Sequence, residues 1–407
     1  MPGIEGCLEQ SFLVEAAFEE ARLHHSPPLF ACFLDLQNAF GSVPHEILCR
    51  VLSRIGLDHR FVDFITRLYT NSVVSLRVRD STLPSIAASA GVRQGDPLSP
   101  ILFNLAMEPI LRSITGIPDA HFPLGRQRLT ACALADDLAL FSSSVTGLQS
   151  LVDAAGSAAS LLGMRFRPDK CRVVARLGAA AVPTRVFLHD SLIPELPPTE
   201  CVLYLGAPQG FGAPRAEIVQ ACTSLTRDIN LLKSCLLAPW QKLHALRSVL
   251  LPRLNYLCRV RRVSKATLIP AASAVTSFCR DVCGLPEFSS SRFPFAPRSA
   301  GGLGLVHLAT NAAILRVAQA CRMLASSDPC VAGTARHRLD MELLASGVRA
   351  PTDHDRSSYL SPSPSDQLPR RNSPPFWHDV RRCLHDLQAH ITLSDSITVS
   401  VRDPDGT

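Results

Sequence analysis

Apolar positions along the chain alternate between helical spacing and short continuous runs. Between Leu8 and Leu23, the residues Phe12, Leu13, Ala16, Ala17 and Phe18 stand among glutamates, which predicts an amphipathic helix. Ser26, Pro27 and Pro28 end it. Leu29 to Leu36 (LFACFLDL) is a nearly unbroken apolar run closing on a carboxylate, and reads as a buried strand. After Pro44 the stretch HEILCRVLSRIGL returns to helical spacing and stops near Gly56, and Phe61 to Tyr69 is helical again. Val73 to Val78 alternates like a strand, with a second strand before Gly91. Leu98 to Ile114 predicts a helix with Ile101, Leu102, Leu105, Ile110 and Leu111 apolar. Leu129 to Phe141 holds two apolar runs around an acidic pair, the pattern of a hairpin with its charges at the turn. Leu148 to Met164 is helical, while Cys171 to Ala175 and Val202 to Leu205 read as short strands. Arg215 to Ala325 is mostly helical, interrupted between Leu285 and Gly304. Beyond Thr352 the run SPSPSDQLPRRNSPP predicts a flexible linker, followed by a short helix from Phe376 to His390. The order of elements describes an α/β sheet domain followed by a helical one, without a Gly-rich phosphate loop.

Composition narrows the class. The 407 residues are 46% hydrophobic and 19% charged, as in a globular protein with a real core. A formal charge of +6 favours polyanionic partners only weakly. No charge-free apolar run reaches the roughly 18 residues of a membrane span, and the N-terminus lacks the pattern of a signal peptide. The expectation is an intracellular protein, nuclear or cytoplasmic, with no membrane partner. Fourteen cysteines are scattered singly without a C-x-x-C pair. Cys279 and Cys283 share a helical face, which favours apolar packing of reduced thiols over zinc.

The candidate chemistry lies in three carboxylates. Asp35 ends the first strand run, and Asp136 with Asp137 occupies the hairpin turn. Acidic residues at the ends of apolar strands need compensation, because burying charge is costly. Converging carboxylates repel one another, and divalent cations with oxygen preference relieve this. An isolated Asp-Asp at a turn is more often simply solvated; the neighbouring residues decide the matter.

FLDLQNAFGSVPH (Phe33 to His45) resembles reverse-transcriptase motif A. GVRQGDPLSPILFNLAMEPIL (Gly91 to Leu111) resembles motif B, ALADDLALF (Ala133 to Phe141) motif C, and GMRFRPDKC (Gly163 to Cys171) motif D. YLG (Tyr204 to Gly206) is similar to the hairpin that follows. GIEGCLEQ (Gly3 to Gln10) resembles the end of the fingers in LINE-type enzymes. PWQKLHALRSVLLPRLNYL (Pro239 to Leu257) and GGLGL (Gly301 to Leu305) resemble the thumb and post-thumb of the ribosomal-DNA-targeting branch. The resemblance is to the reverse-transcriptase domain of a non-LTR retrotransposon.

That resemblance implies a polymerase right hand: a remnant of fingers over residues 1–28, a palm over 29–212, a mainly helical thumb and post-thumb over 213–325, and a linker and tail over 326–407. It implies RNA-directed DNA synthesis with an RNA template, a DNA primer and dNTPs. Two Mg²⁺ ions would be held by Asp35, Asp136, Asp137 and the Leu36 carbonyl, with Mn²⁺ as an alternative. Phe40 matches the gate that rejects a 2′-hydroxyl. Gln94 and Gly95 match the segment approaching the nascent base pair, and Arg93 beside them is placed to meet a phosphate or solvent. Lys170 matches the motif D lysine, a candidate acid for the leaving pyrophosphate. Lys233, Lys242, Arg247 and Arg253, in the stretch from Arg227 to Lys265 whose one acidic residue is Asp228, suit a template-primer backbone.

Two departures stand out. Motif A usually reads Ala-Phe-Asp, and this chain has Ala39-Phe40-Gly41. The basic fingers strands expected upstream of Asp35 are absent, and no zinc knuckle or endonuclease cluster follows the Ser/Pro run. The expectation is an N-terminally truncated polymerase domain. The alternatives are a non-catalytic, nucleic-acid-binding remnant, or a metal-dependent phosphohydrolase on the same acidic cluster.

Overall fold

A computed structural model describes residues 6–23, 27–70, 72–75, 77–79, 81–82, 84–177, 180–181, 183–212, 215–366, 375–394 and 396–401. The chain forms two compact units. One comprises residues 17–124 and 128–198, the other residues 1–16, 125–127 and 199–407.

The first unit is built on a five-stranded sheet of β1 (Leu29–Leu34), β2 (Ala131–Leu134), β3 (Asp137–Ser142), β4 (Arg172–Leu177) and β5 (Ala180–Ala181). Their order is β5-β4-β1-β3-β2, with every neighbouring pair antiparallel. The apolar run LFACFL is the central strand, buried at all six positions. Its unbroken hydrophobicity follows from cover on both faces. Phe30, Cys32 and Leu34 enter the main core, while Phe33 stacks on Phe18 with ring centroids 6.4 Å apart. Burying such aromatic and aliphatic side chains contributes roughly 1.5–3 kcal/mol each.

That core is closed by helices that follow the strands in sequence. His45–Ile55 and His59–Tyr69 bury Leu48, Leu52 and Ile65, Ser99–Ile114 buries Leu102, Phe103 and Ile110, and Val145–Leu161 buries Leu148, Leu151 and Val152. Ser144 caps the last of these through the Gly147 N–H at 3.0 Å. The expected strand from Val73 to Val78 is shorter and broken. Val73–Val74 pairs with Ile86–Ala87 and Arg77–Val78 with Ser81–Thr82, leaving the valines exposed.

In the second unit, Arg215–Ser234 packs on Lys265–Val282 around Leu225, Ile229, Val275 and Phe278. Between them, the helix that starts at Pro239 widens over Leu246–Leu250 and tightens over Leu251–Leu254. Pro252 lacks an N–H, so the hydrogen-bond ladder shifts register around it.

The N-terminal helix, Gly6–Glu20, departs from the amphipathic expectation: Glu9 and Glu15 are buried along with Leu8, Phe12 and Leu13. The acids are tolerated because they have partners. Glu9 accepts from the Ser326 hydroxyl at 2.7 Å, and Glu15 lies 3.3 Å from the Arg261 guanidinium. Gly3 and its two successors in the fingers-like run, and residues 24–26 where Ser26 was expected to end the helix, lie outside the described residues.

The C-terminal stretch carries more order than its composition predicts. Asp353–Tyr359 is a helix started by a Thr352–Asp355 capping box, placed where the linker was expected to begin. Residues 367–374 of the Ser/Pro run lie outside the described residues. The next helix, Phe376–Leu387, stops short of His390 because Gln388 turns left-handed (φ 52°), and the chain continues as the hairpin Ala389–Leu393 and Ile397–Val401. Trp377 is fully buried and donates its indole N–H to the Ala335 carbonyl at 3.0 Å. Among the described residues, no helix is long and apolar enough to cross a membrane.

Candidate active site

The sheet sets the positions of the acidic residues. Leu34 on β1 pairs with Leu138 on β3, and Leu134 on β2 pairs with Asp137. Asp35 therefore emerges one step beyond the end of the β1–β3 ladder, beside the two-residue turn Ala135–Asp136. The turn is tight enough to force Ala135 into the left-handed region, with φ 52°. A residue with a Cβ pays about 1–2 kcal/mol there. Strain of this kind is concentrated where a turn must present particular side chains. Asp136 is half-buried and Asp137 exposed.

Asp35 is not bare. The Arg167 guanidinium donates to its Oδ2 from Nε at 2.8 Å and from Nη2 at 2.7 Å. Arg167 follows Phe166, which forms an isolated antiparallel bridge with Leu36 just beyond the end of β1. The Arg167 N–H donates to the Asp35 carbonyl at 2.9 Å, and the Gln37 N–H donates to the Arg165 carbonyl at 2.8 Å. Leu36 and Phe166 are thus a non-hydrogen-bonded antiparallel pair. In such a pair the residue's own carbonyl faces the opposite edge. For Leu36 that is the edge shared with β3, on the side of the acidic turn. The Cys171 thiol accepts from the Asp35 N–H at 3.4 Å, and burial pushes that thiol up to about 11. Arg167 and Cys171 were not singled out by sequence reasoning. The available signal was the motif D run, which must lie antiparallel to β1 if Phe33 pairs with Arg172.

Among the described residues, no three His, Cys, Asp or Glu side chains are gathered closely enough to hold a metal ion. The candidate ligands named from the sequence are nevertheless all oxygen, the carboxylates of Asp35, Asp136 and Asp137 and the Leu36 carbonyl. That is the chemistry of a hard cation such as Mg²⁺ rather than of zinc.

The remaining residues sort by location. Phe40 is half-buried and stacks on Phe103, and its carbonyl accepts from the Val92 N–H at 2.8 Å, tying motif A to the start of motif B. At Gly91 (φ 94°) an added Cβ would lie 3.0 Å from the Gly41 Cα, so the Gly41 that replaces the usual acid sits in a close backbone crossing. Gln94 and Gly95 are exposed, and Gly95 (φ 89°) supplies the left-handed residue of the turn closed by Asp96 N–H on the Arg93 carbonyl. Arg93 is engaged at the end of the preceding helix, donating to the Leu68 carbonyl at 2.8 Å and lying 5.6 Å from the Tyr69 ring centre. Lys170 is exposed, at the end of the turn Arg167-Pro168-Asp169-Lys170.

In the other unit, the basic residues have acidic partners that are distant in sequence. Lys233 pairs with Asp281, and Arg253 with Asp228, whose carboxyl is held below its usual range by that arginine. Lys242 donates to the Lys233 carbonyl at 2.7 Å. Arg247 is exposed, and among the described residues it forms no ion pair. Arg262 and Lys265 meet Asp379 and Asp386 at 3.1 and 2.9 Å. The local charge run therefore overstates the free positive charge of this region.

Residues 7–208 match the family described as reverse transcriptase (RNA-dependent DNA polymerase). The chain is 30% identical over 319 residues to the retrovirus-related Pol polyprotein from type-2 retrotransposable element R2DM of Drosophila melanogaster, covering 77% of this chain and 30% of that protein. It is 29% identical over 311 residues to the retrovirus-related Pol polyprotein from type-1 retrotransposable element R2 of Popillia japonica, covering 75% and 43%. A counterpart from Nasonia vitripennis is 28% identical over 308 residues, covering 74% and 29%. The chain thus spans less than half the length of these relatives.

Proposed function

We propose that the chain is a reverse transcriptase of the non-LTR retrotransposon kind, as its similarity to that family and to the R2 polyproteins supports, and that its sheet unit is a polymerase palm performing RNA-templated DNA synthesis. The observation that carries the reading is the register of the sheet, which brings Asp35 beside the strained Ala135–Asp136 turn. In this reading the helices after residue 213 are the thumb and post-thumb region, and residues 1–28 belong to the fingers. The reaction takes place inside the cell, in nucleus or cytoplasm, where template and primer occur.

Asp35 and Asp136, with Asp137 in support and the Leu36 carbonyl, would hold two Mg²⁺ ions. When bound, these ions acidify the primer 3′-hydroxyl and stabilise charge on the triphosphate. The protein's own residues do the positioning. Phe40, braced by Phe103, forms an apolar floor that has no partner for a ribose 2′-hydroxyl. Gln94 and Gly95 present an exposed turn to the nascent base pair, and Lys170 is free in solvent to give a proton to the departing pyrophosphate. Arg247 and Lys242 are the cations of the thumb most available to a phosphodiester backbone.

The reading is tested by incorporation of dTTP on an oligo(dT)-primed poly(rA) template with Mg²⁺, beside Asp136→Ala. Incorporation by the native chain alone is expected. Equal incorporation by both proteins would remove the carboxylates from the mechanism.

A further inference from the structure

Asp35 is one of the proposed metal ligands, yet its carboxylate already has a cation. Both Arg167 contacts converge on one oxygen, Oδ2, at 2.7 and 2.8 Å. The pair differs from the buried ion pairs of the second unit. Arg316 and Asp379 are 4% and 7% exposed, and Arg261 and Glu15 are 13% and 11% exposed, whereas Arg167 and Asp35 are 34% and 41% exposed. Buried pairs cost several kcal/mol to open because each ion is left uncompensated. A half-exposed pair is screened and costs far less, since water can replace either partner. The backbone beneath the pair is fixed by the Arg167 N–H to Asp35 carbonyl bond and by the Pro168 turn that follows. Only the guanidinium needs to move, and it has solvent to move into.

We propose that Arg167 is an exchangeable counter-ion of Asp35, occupying the carboxylate in the resting protein and yielding it to a divalent cation. The inference rests on the two-metal reading above. It makes Arg167 a positioning residue that keeps the acidic turn compact without a metal and raises the concentration of metal needed to load the site. The guanidinium displaced from Asp35 remains tethered beside the site. There it is positioned to meet an anionic group arriving with the metal, such as the triphosphate of the incoming nucleotide.

The test is titration of the full chain with Mn²⁺, followed by electron paramagnetic resonance of the free ion, without nucleotide or primer. Arg167→Gln is expected to bind Mn²⁺ about two- to fivefold more tightly than the native chain, the scale of one solvent-screened ion pair. The gain should disappear in the double variant Asp35→Asn/Arg167→Gln. Arg167→Lys, which keeps the charge but loses the fork, should fall between, and it carries the same test if the glutamine variant fails to fold. Equal affinity in native and Arg167 variants would overturn the exchange while leaving the two-metal reading intact. A gain that persists without Asp35 would also overturn it, by locating the ion elsewhere. Absence of Mn²⁺ binding in every variant would defeat the metal reading and the exchange together.

Discussion

Phe40 and Phe103 stack with ring centroids 4.5 Å apart and planes within 16° of parallel. One residue comes from the short helix Ala39–Ser42 after β1 and the other from the helix Ser99–Ile114 within motif B. The stack fixes the height of the Phe40 ring relative to the sheet. Phe40→Ala should therefore have two effects. Stability should fall by about 2 kcal/mol, less than for a fully buried phenylalanine because the ring is only half-buried. Discrimination against ribonucleotides should fall by on the order of 10²-fold, the typical limit when an apolar wall rejects an added hydroxyl. Urea denaturation reads the first effect, and competing dNTP and rNTP incorporation reads the second. Loss of stability without loss of discrimination would make Phe40 a core residue only.

Ala135 should be better served by glycine. Relief of the left-handed strain at φ 52° gains about 1–2 kcal/mol, and the extra freedom of glycine in the unfolded chain takes back about 0.4–1 kcal/mol. Ala135→Gly is expected to raise stability by roughly 0.5–1 kcal/mol. Ala135→Val should lower it, because branching at Cβ makes the left-handed conformation worse. Denaturant midpoints of the two variants, moving in opposite directions, check the turn geometry that presents Asp136 and Asp137.

Trp377 tests whether the C-terminal stretch is an integral part of its unit. The side chain is buried, and its indole N–H is satisfied by the Ala335 carbonyl. Trp377→Ala should cost about 3–5 kcal/mol from the lost side chain, with the unpaired carbonyl adding to it. A change within about 0.5 kcal/mol, the scale of an ordinary surface substitution, would mean that this helix does not pack as described.

Much of this was legible in the sequence, and the failures have specific causes. LFACFL announced a buried strand, and the acidic pair between Leu134-Ala135 and Leu138 announced the β2–β3 hairpin, although the turn is Ala135–Asp136 and Asp137 already belongs to β3, paired with Leu134. Leu205 and Gly206, both left-handed, close the hairpin that YLG suggested. Pairings distant in sequence were not legible. Arg167 meets Asp35 across 132 positions, and Glu15 meets Arg261 across 246. Nothing in a local charge count reveals either contact, so the N-terminal helix read as amphipathic and the stretch from Arg227 to Lys265 read as more basic than it is. Composition misled at Thr352, where one capping box begins a helix inside a polar run.

The cysteines divide by burial. Burial pushes the thiols of Cys258, Cys279 and Cys383 up to about 12, whereas Cys7 and Cys235 are exposed. Alkylation proceeds through the thiolate, whose fraction falls tenfold for each unit by which the thiol lies above the working pH. At pH 8, iodoacetamide should label Cys7 and Cys235 within minutes. The buried Cys258 and Cys279 should react only after denaturant is added, and the half-buried Cys383 later than the exposed pair. Mass spectrometry of the digested protein reads the order directly, and early labelling of Cys279 would contradict the packing of the helical core.

The central claim is that Asp35 and the Ala135–Asp137 turn form one catalytic centre. The most direct measurement is single-nucleotide extension of a labelled DNA primer on a defined RNA template with Mg²⁺, comparing the native chain with Asp35→Asn and Asp136→Asn. The account predicts templated addition by the native chain and a loss of at least about 10³-fold in each variant, the scale expected when a group stabilising the transition state is removed. Failure of the native chain to extend a primer that it demonstrably binds, or unimpaired extension by either variant, would contradict it.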